Sequence, residues 1–245
     1  MKQQLLAIFI FLTCSLTVQA QVQINSVQTH LAAAQKIDYS FKLIDEKTSL
    51  PITDKNLIAT HTKILHLVVY DASLSEFNHV HPTFKGSQWS VELNLPVSGD
   101  YLVWAQGETN TGSEFSVSTI LVIVDGSPEK PILPLGDVRS GVDGITKLEL
   151  SSKNIKAGKM ILLDFSVSHS DGTAPVMSPY LGAFAHVIAT QLSGNELIHV
   201  HPMAGSDVNM GMLHATFPSA GEYRLWIQFN DNNVLKTIPL SVVVN

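Results

Sequence analysis

The chain has 245 residues, a formal charge of −6, ten histidines and a single cysteine, Cys14, in an apolar run near its start. Beyond that run there is no thiol, which excludes disulfide staples, thiolate zinc fingers, cysteine nucleophiles and cysteine-ligated copper. The acidic balance is dispersed and rises to −7 once Lys2 is removed; it argues against nucleic acid as a partner, which needs clustered Lys and Arg.

Lys2, the apolar run "LLAIFIFLTCSLTV" and "VQA" ending at Ala20 read as a secretory signal over residues 1–20. The run is too short to span a bilayer and no second candidate follows, so no transmembrane segment is expected. Thr13 stands where a lipoprotein box carries a smaller residue, which argues against a lipid anchor. The expectation is a periplasmic or secreted protein.

Downstream, short β-branched runs alternate with turn residues: "KILHLVVY", "WSVELNLPV", "YLVWAQ" and "STILVIV", then "MILLDFSVS", "HVIAT", "LHATF", "YRLWIQF" and "IPLSVVV". No amphipathic helix of useful length intervenes. The pattern predicts an all-β protein of two tandem immunoglobulin-like antiparallel β-sandwiches, residues 21–126 and 141–245, joined by a Pro/Gly-rich linker over 127–140.

The two predicted domains are copies. "HLVVYDASLSEFNHVHP" (66–82) aligns without gaps on "HVIATQLSGNELIHVHP" (186–202), and "PVSGDYLVWAQ" aligns further on with "PSAGEYRLWIQ". Tyr101 and Tyr223 suit corners in which the hydroxyl pins a turn, and Trp104 and Trp226 read as core residues.

Counting from a hairpin turn at Ser193-Gly194 sets Ile188 opposite His199 and His186 opposite His201; the same count sets Val68 opposite His79 and His66 opposite His81. Opposed Cβ atoms lie about 4.5–5.5 Å apart, so three imidazoles per copy are expected to converge. Ring nitrogens reaching inward from there can meet at a metal about 2.0–2.1 Å from each. Pro82 and Pro202 cannot donate to a ladder and are expected to end their strands.

A fourth ligand differs between copies. His61 precedes His66, but strict alternation points it to the opposite face unless a bulge or the strand entry turns it; its counterpart is Leu181. The second copy instead offers Met203, Met210, Met212 and His214, of which the last three face outward if Leu213, Ala215 and Phe217 pack inward. Thioethers beside imidazoles favour copper as Cu(I), whereas histidine alone suits Cu(II) or Zn(II).

Three functions fit. The first is metal sequestration or delivery, with copper as the ion, zinc as the alternative and a metal-delivery protein as partner. The second is a zinc-dependent hydrolase or lyase with a three-His centre, although Glu76, Glu196, Asp100 and Glu222 read as solvated strand-edge or turn charges. The third is a metal-free adhesion or scaffold module whose histidines satisfy hydrogen bonds.

"HTKILHLVVYDASLSEFNHVHP" with "VSGDYLVWAQ", and "SPYLGAFAHVIAT" with "LIHVHP" and "AGEYRLWIQF", resemble exported bacterial proteins with YtkA-like domains of immunoglobulin type. The resemblance covers most of each copy from about Leu57 and Met177 onward. It implies a β-sandwich module that handles copper, and it marks His61, His66, His79, His81, His186, His199 and His201.

Overall fold

The computed structural model describes residues 21–151, 154–192, 194, 196–204 and 210–245, with the main chain alone for 199, 201–204 and 210. The leader read over residues 1–20 lies outside the described residues, among which no helix is long and apolar enough to cross a membrane.

The first half runs β1 (Val22–Ser26), β2 (His30–Ala32), β3 (Ala34–Asp45), β4 (Pro51–Ile52), β5 (Leu57–Ile58), β6 (His66–Asp71), β7 (Phe77–Val80), β8 (Thr83–Lys85), β9 (Gln88–Leu95), β10 (Gly99–Thr109) and β11 (Glu114–Val124). One sheet has the order β1-β3-β9-β8 with β4 on β3; the other has β2-β11-β10-β6-β7 with β5 on β10. Alternate residues from both fill one core, including Tyr39, Phe41, Leu67, Val69, Trp89, Leu93 and Val103.

The second half runs β12 (Ser140–Asp143), β13 (Thr146–Leu150), β14 (Met160–His169), β15 (Met177–Ser178), β16 (His186–Gln191), β17 (Leu197–Ala204), β18 (Met210–Thr216), β19 (Gly221–Asp231) and β20 (Val234–Val244). Its core includes Leu163, Phe165, Val187, Ala189, Leu213, Phe217, Leu225 and Leu240. The protein is therefore all-β, two repeated immunoglobulin-like halves. Both tyrosine corners form, Tyr101 donating to Val97 O at 3.1 Å and Tyr223 to Ser219 O at 3.0 Å.

The strand end expected at each proline holds once. In the first half β7 stops at Val80 and β8 starts at Thr83, with His81 and Pro82 between them. In the second half β17 runs through Pro202: Leu197–Val200 pair with β16, while His201–Ala204 pair with β18. The strand passes from one partner to the other between Val200 and His201, and Pro202, one residue further on, pairs opposite Leu213.

The two halves pack against each other. β6 is buried along its whole length, because Leu67 and Val69 face their own core while Val68 and Tyr70 face the other half. Val68, Tyr70, Leu74, Trp104, Ile188 and Trp226 form this third cluster, with Phe77, Leu135 and Leu197 at its margin. The two tryptophans are thus buried, but between the halves rather than inside either sandwich. The "DASLSEF" loop serves the same contact: the Asp71 carboxylate takes the backbone N–H groups of Ser73, Ser75 and Glu76 and the Ser73 hydroxyl, holding Leu74 and Phe77 against the second half. The segment between the halves is tied to both, by Lys130 to Glu76 Oε1 at 2.7 Å and by Leu135 N–H to Glu222 Oε2 at 2.7 Å.

Candidate metal centre

The contact face of β6 ends in His66, and the register expected from the hairpin count brings the rest. Val68 lies opposite His79 on β7, and Ile188 opposite His199 on β17. Just past the end of β7, His81 joins them, and ring nitrogens of His66, His79 and His81 all lie within 4.8 Å of one another.

Hydrogen bonds fix the tautomers. A main-chain carbonyl can only accept, so His66 Nε2–H donates to Thr60 O at 3.1 Å, leaving Nδ1 as the lone-pair nitrogen. His79 Nδ1–H donates across the boundary to Gln228 Oε1 at 2.7 Å, leaving Nε2 as its lone pair. These two lone pairs face each other at 3.2 Å. Two nitrogens bound at 2.0–2.1 Å to one tetrahedral ion lie about 3.3 Å apart. His81 Nε2 is buried nearby with no hydrogen-bond partner among the described residues.

Burial is the main cause keeping these rings neutral, since removal from water penalises the charged form. It pushes His79 and His81 down to about 3, assisted by the charge neighbouring rings would carry, and for His79 opposed by the Gln228 contact. His186 is pushed down to about 4, and His66 is lowered, by burial first in both cases. Neutral imidazole is the form that binds a metal.

His61 joins by a route the alternation rule did not contain. Thr60 and Lys63 pair across a tight turn whose central residues, His61 and Thr62, have φ of 49° and 69°. Positive φ at both central positions is the type I′ hairpin signature. The His61 ring then lies 6.4 Å from His66 and 5.2 Å from His186, centroid to centroid. The second half repeats the turn with Leu181 and Gly182 at 50° and 79°, and a Cβ on Gly182 would sit 3.4 Å from Thr62 Cγ2, so the two turns meet.

His186 is the second half's described contribution. Its Nε2–H donates to Tyr180 O at 2.9 Å, as His66 does to Thr60 O, and its ring is 6.4 Å from that of His79. The first-half trio and His186 therefore share one neighbourhood at the boundary. His199 and His201 hold their register positions, His201 opposite His214 rather than His186, and their side chains lie outside the description. The same is true of Met203 and Met210. Met212 is half-buried and His214 exposed on β18, whose Leu213 and Ala215 face the core, as does Phe217 just past its end, and His214 is outside the trio.

Two of the four carboxylates weighed for catalysis are engaged elsewhere: Glu76 with Lys130, and Glu222 with Leu135 at the far end of β19 from Gln228. His169 belongs to a separate network, donating through Nε2–H to Asp231 Oδ2 at 2.6 Å. What sequence reasoning missed is Gln228. The signal was present in the repeat, since "WAQ" and "WIQ" put a glutamine two residues after each buried tryptophan.

Among solved structures, the chain is similar to the Escherichia coli adhesin FdeC at 13% identity, covering 93% of this chain and 65% of that one, with a TM-score of 0.31. A tetra-tandem repeat from the extending region of a large adhesion protein matches at 11% identity, covering 91% and 49%, with a TM-score of 0.30. The titin fragment A168169 matches at 14% identity, covering 91% and 98%, with a TM-score of 0.24. The chain thus spans about two thirds of the first structure and half of the second, and likeness at this identity says nothing of function. No curated protein matches it. A family model described as "Domain of unknown function (DUF8832)" matches residues 17–124 and again residues 140–245, and the chain belongs to that family.

Proposed function

We propose that this is an exported metal-binding protein that holds copper, or alternatively zinc, between its two halves, for sequestration or for handover to a metal-delivery protein. The observation that carries the reading is the pair of facing lone-pair nitrogens, His66 Nδ1 and His79 Nε2, at the spacing two ligands of one ion adopt. His81 supplies the third nitrogen, with His61 beside His66 and His186 beside His79. Donation of the other ring N–H to a carbonyl or amide oxygen is the usual support of a metal-bound imidazole. An all-imidazole trio suits Cu(II) or Zn(II); a strong Cu(I) preference would call for the methionines. The resemblance of the repeat to YtkA-like modules points the same way.

The test is metal analysis of the purified chain followed by competitive titration with Cu(I), Cu(II) and Zn(II), on the wild type and on the His79→Ala/His81→Ala variant. The reading expects tight binding by the wild type and loss of at least about 100-fold in the variant, or about 2.7 kcal/mol. Equal, weak binding by both would leave the second reading, a metal-free adhesion or scaffold module. One observation favours that reading: the apolar contact around Trp226 and Tyr70 joins the halves without any ion.

A further inference from the structure

Each half presents a glutamine at the same place, Gln106 opposite His66 and Gln228 opposite His186. Both send the amide nitrogen to a hydroxyl on the following strand, Gln106 Nε2 to Ser116 Oγ at 3.0 Å and Gln228 Nε2 to Thr237 Oγ1 at 3.1 Å. That donation turns the amide oxygen of Gln228 toward the first half, where it accepts from His79 Nδ1–H at 2.7 Å.

We propose that Gln228 is a positioning residue of the metal centre, and that by holding His79 in its Nδ1–H tautomer it makes metal binding by the first-half trio depend on docking of the second half. The inference rests on the metal reading above. Without Gln228, the simplest arrangement of the neutral pair is a hydrogen bond from His79 Nε2–H to His66 Nδ1. That bond puts a proton where the ion would sit, and binding must displace it. With Gln228 in place the His79 proton is on the far side of its ring, and the Nε2 lone pair is turned toward His66 Nδ1. Linkage makes the effect reciprocal: an ion that binds better to the docked state favours docking by the same factor.

The experiment uses the full chain, with Zn(II) as the probe because it is diamagnetic, and compares wild type, Gln228→Ala and Gln228→Glu. Long-range ¹H–¹⁵N spectra of the metal-free proteins near neutral pH read the His79 tautomer; chelator competition reads affinity. The wild type is expected to show Nδ1–H, and Gln228→Ala to show Nε2–H with affinity lower by about 10–100-fold. Gln228→Glu accepts the same proton and is expected to retain both the tautomer and an affinity within a few-fold of the wild type, a rescue that a merely space-filling role would not produce. If Gln228→Ala does not fold, Thr237→Val, which removes the hydroxyl that orients the amide, is expected to weaken binding in the same direction. A wild type with His79 as Nε2–H, or a Gln228→Ala variant that folds and binds Zn(II) as the wild type does, overturns the inference while leaving the metal reading standing. A wild type that binds no ion overturns the metal reading, and the coupling with it.

Discussion

β6 and β16 lay matching triplets on the contact between the halves: His66, Val68 and Tyr70 against His186, Ile188 and Thr190. At one end the contact is apolar and aromatic. Phe77 stacks on Trp226 with centroids 4.4 Å apart, and Tyr70 accepts from Trp104 Nε1–H at 3.0 Å while meeting Thr190 Oγ1 at 3.3 Å. At the other end the same strands gather imidazoles that burial keeps uncharged. The two ends divide the labour. Apolar burial supplies the docking free energy, and that docking holds out of water a set of polar rings whose burial would otherwise be unfavourable.

The apolar end is expected to be most sensitive at Trp226. Trp226→Ala removes one of the two largest side chains of the apolar end and is expected to cost about 3–5 kcal/mol of stability, with or without metal, in denaturant unfolding. An unchanged midpoint would mean that the halves dock by other means. The histidine end responds differently: His79→Ala/His81→Ala is expected to abolish tight metal binding while altering metal-free stability near neutral pH by less than the tryptophan change does.

Acid separates the ends again. His79 and His81 titrate at about 3 in the folded chain against 6.5 for the ordinary group, so below 6.5 the unfolded state takes up protons that the folded state refuses. Metal-free stability is therefore expected to be full above about pH 6.5 and to fall progressively as the pH drops toward about 3. The double-histidine variant should show a shallower decline, read from urea midpoints across that window. The smallest effects lie outside the interface. Tyr101→Phe removes the corner hydrogen bond to Val97 O and should cost about 1 kcal/mol, and Tyr223→Phe, whose hydroxyl meets Ser219 through its carbonyl, its hydroxyl and its N–H, should cost about 1–2 kcal/mol, both leaving metal affinity unchanged.

Much of this was legible in the sequence because it is local. Hairpin counting put His79 opposite Val68 and His199 opposite Ile188, and period-two alternation put Leu213 and Ala215 inward on β18 and Phe217 inward just beyond it. The tyrosine corners followed from the turn residues that precede them. What was not legible depends on what covers a face. Periodicity says that Val68 and Trp104 are buried, but not that Ile188 and Trp226 bury them, and so it left the relation between the two sets of histidines open. The continuous run "HLVVY" was the available hint, since a strand apolar on both faces must be covered on both. His61 was hidden for another reason. Its route depends on a type I′ turn built without glycine, with β-branched Thr62 in the left-handed region.

One ion is expected between His66, His79 and His81 at the boundary of the halves. Anomalous diffraction at the copper and zinc edges, from crystals of the full chain grown with each metal, tests it most directly. The account predicts a peak about 2.0–2.1 Å from His66 Nδ1 and His79 Nε2, with His81 as a further ligand. No peak there at saturating metal, or a peak only on the outer face of β18 near His214, would contradict it.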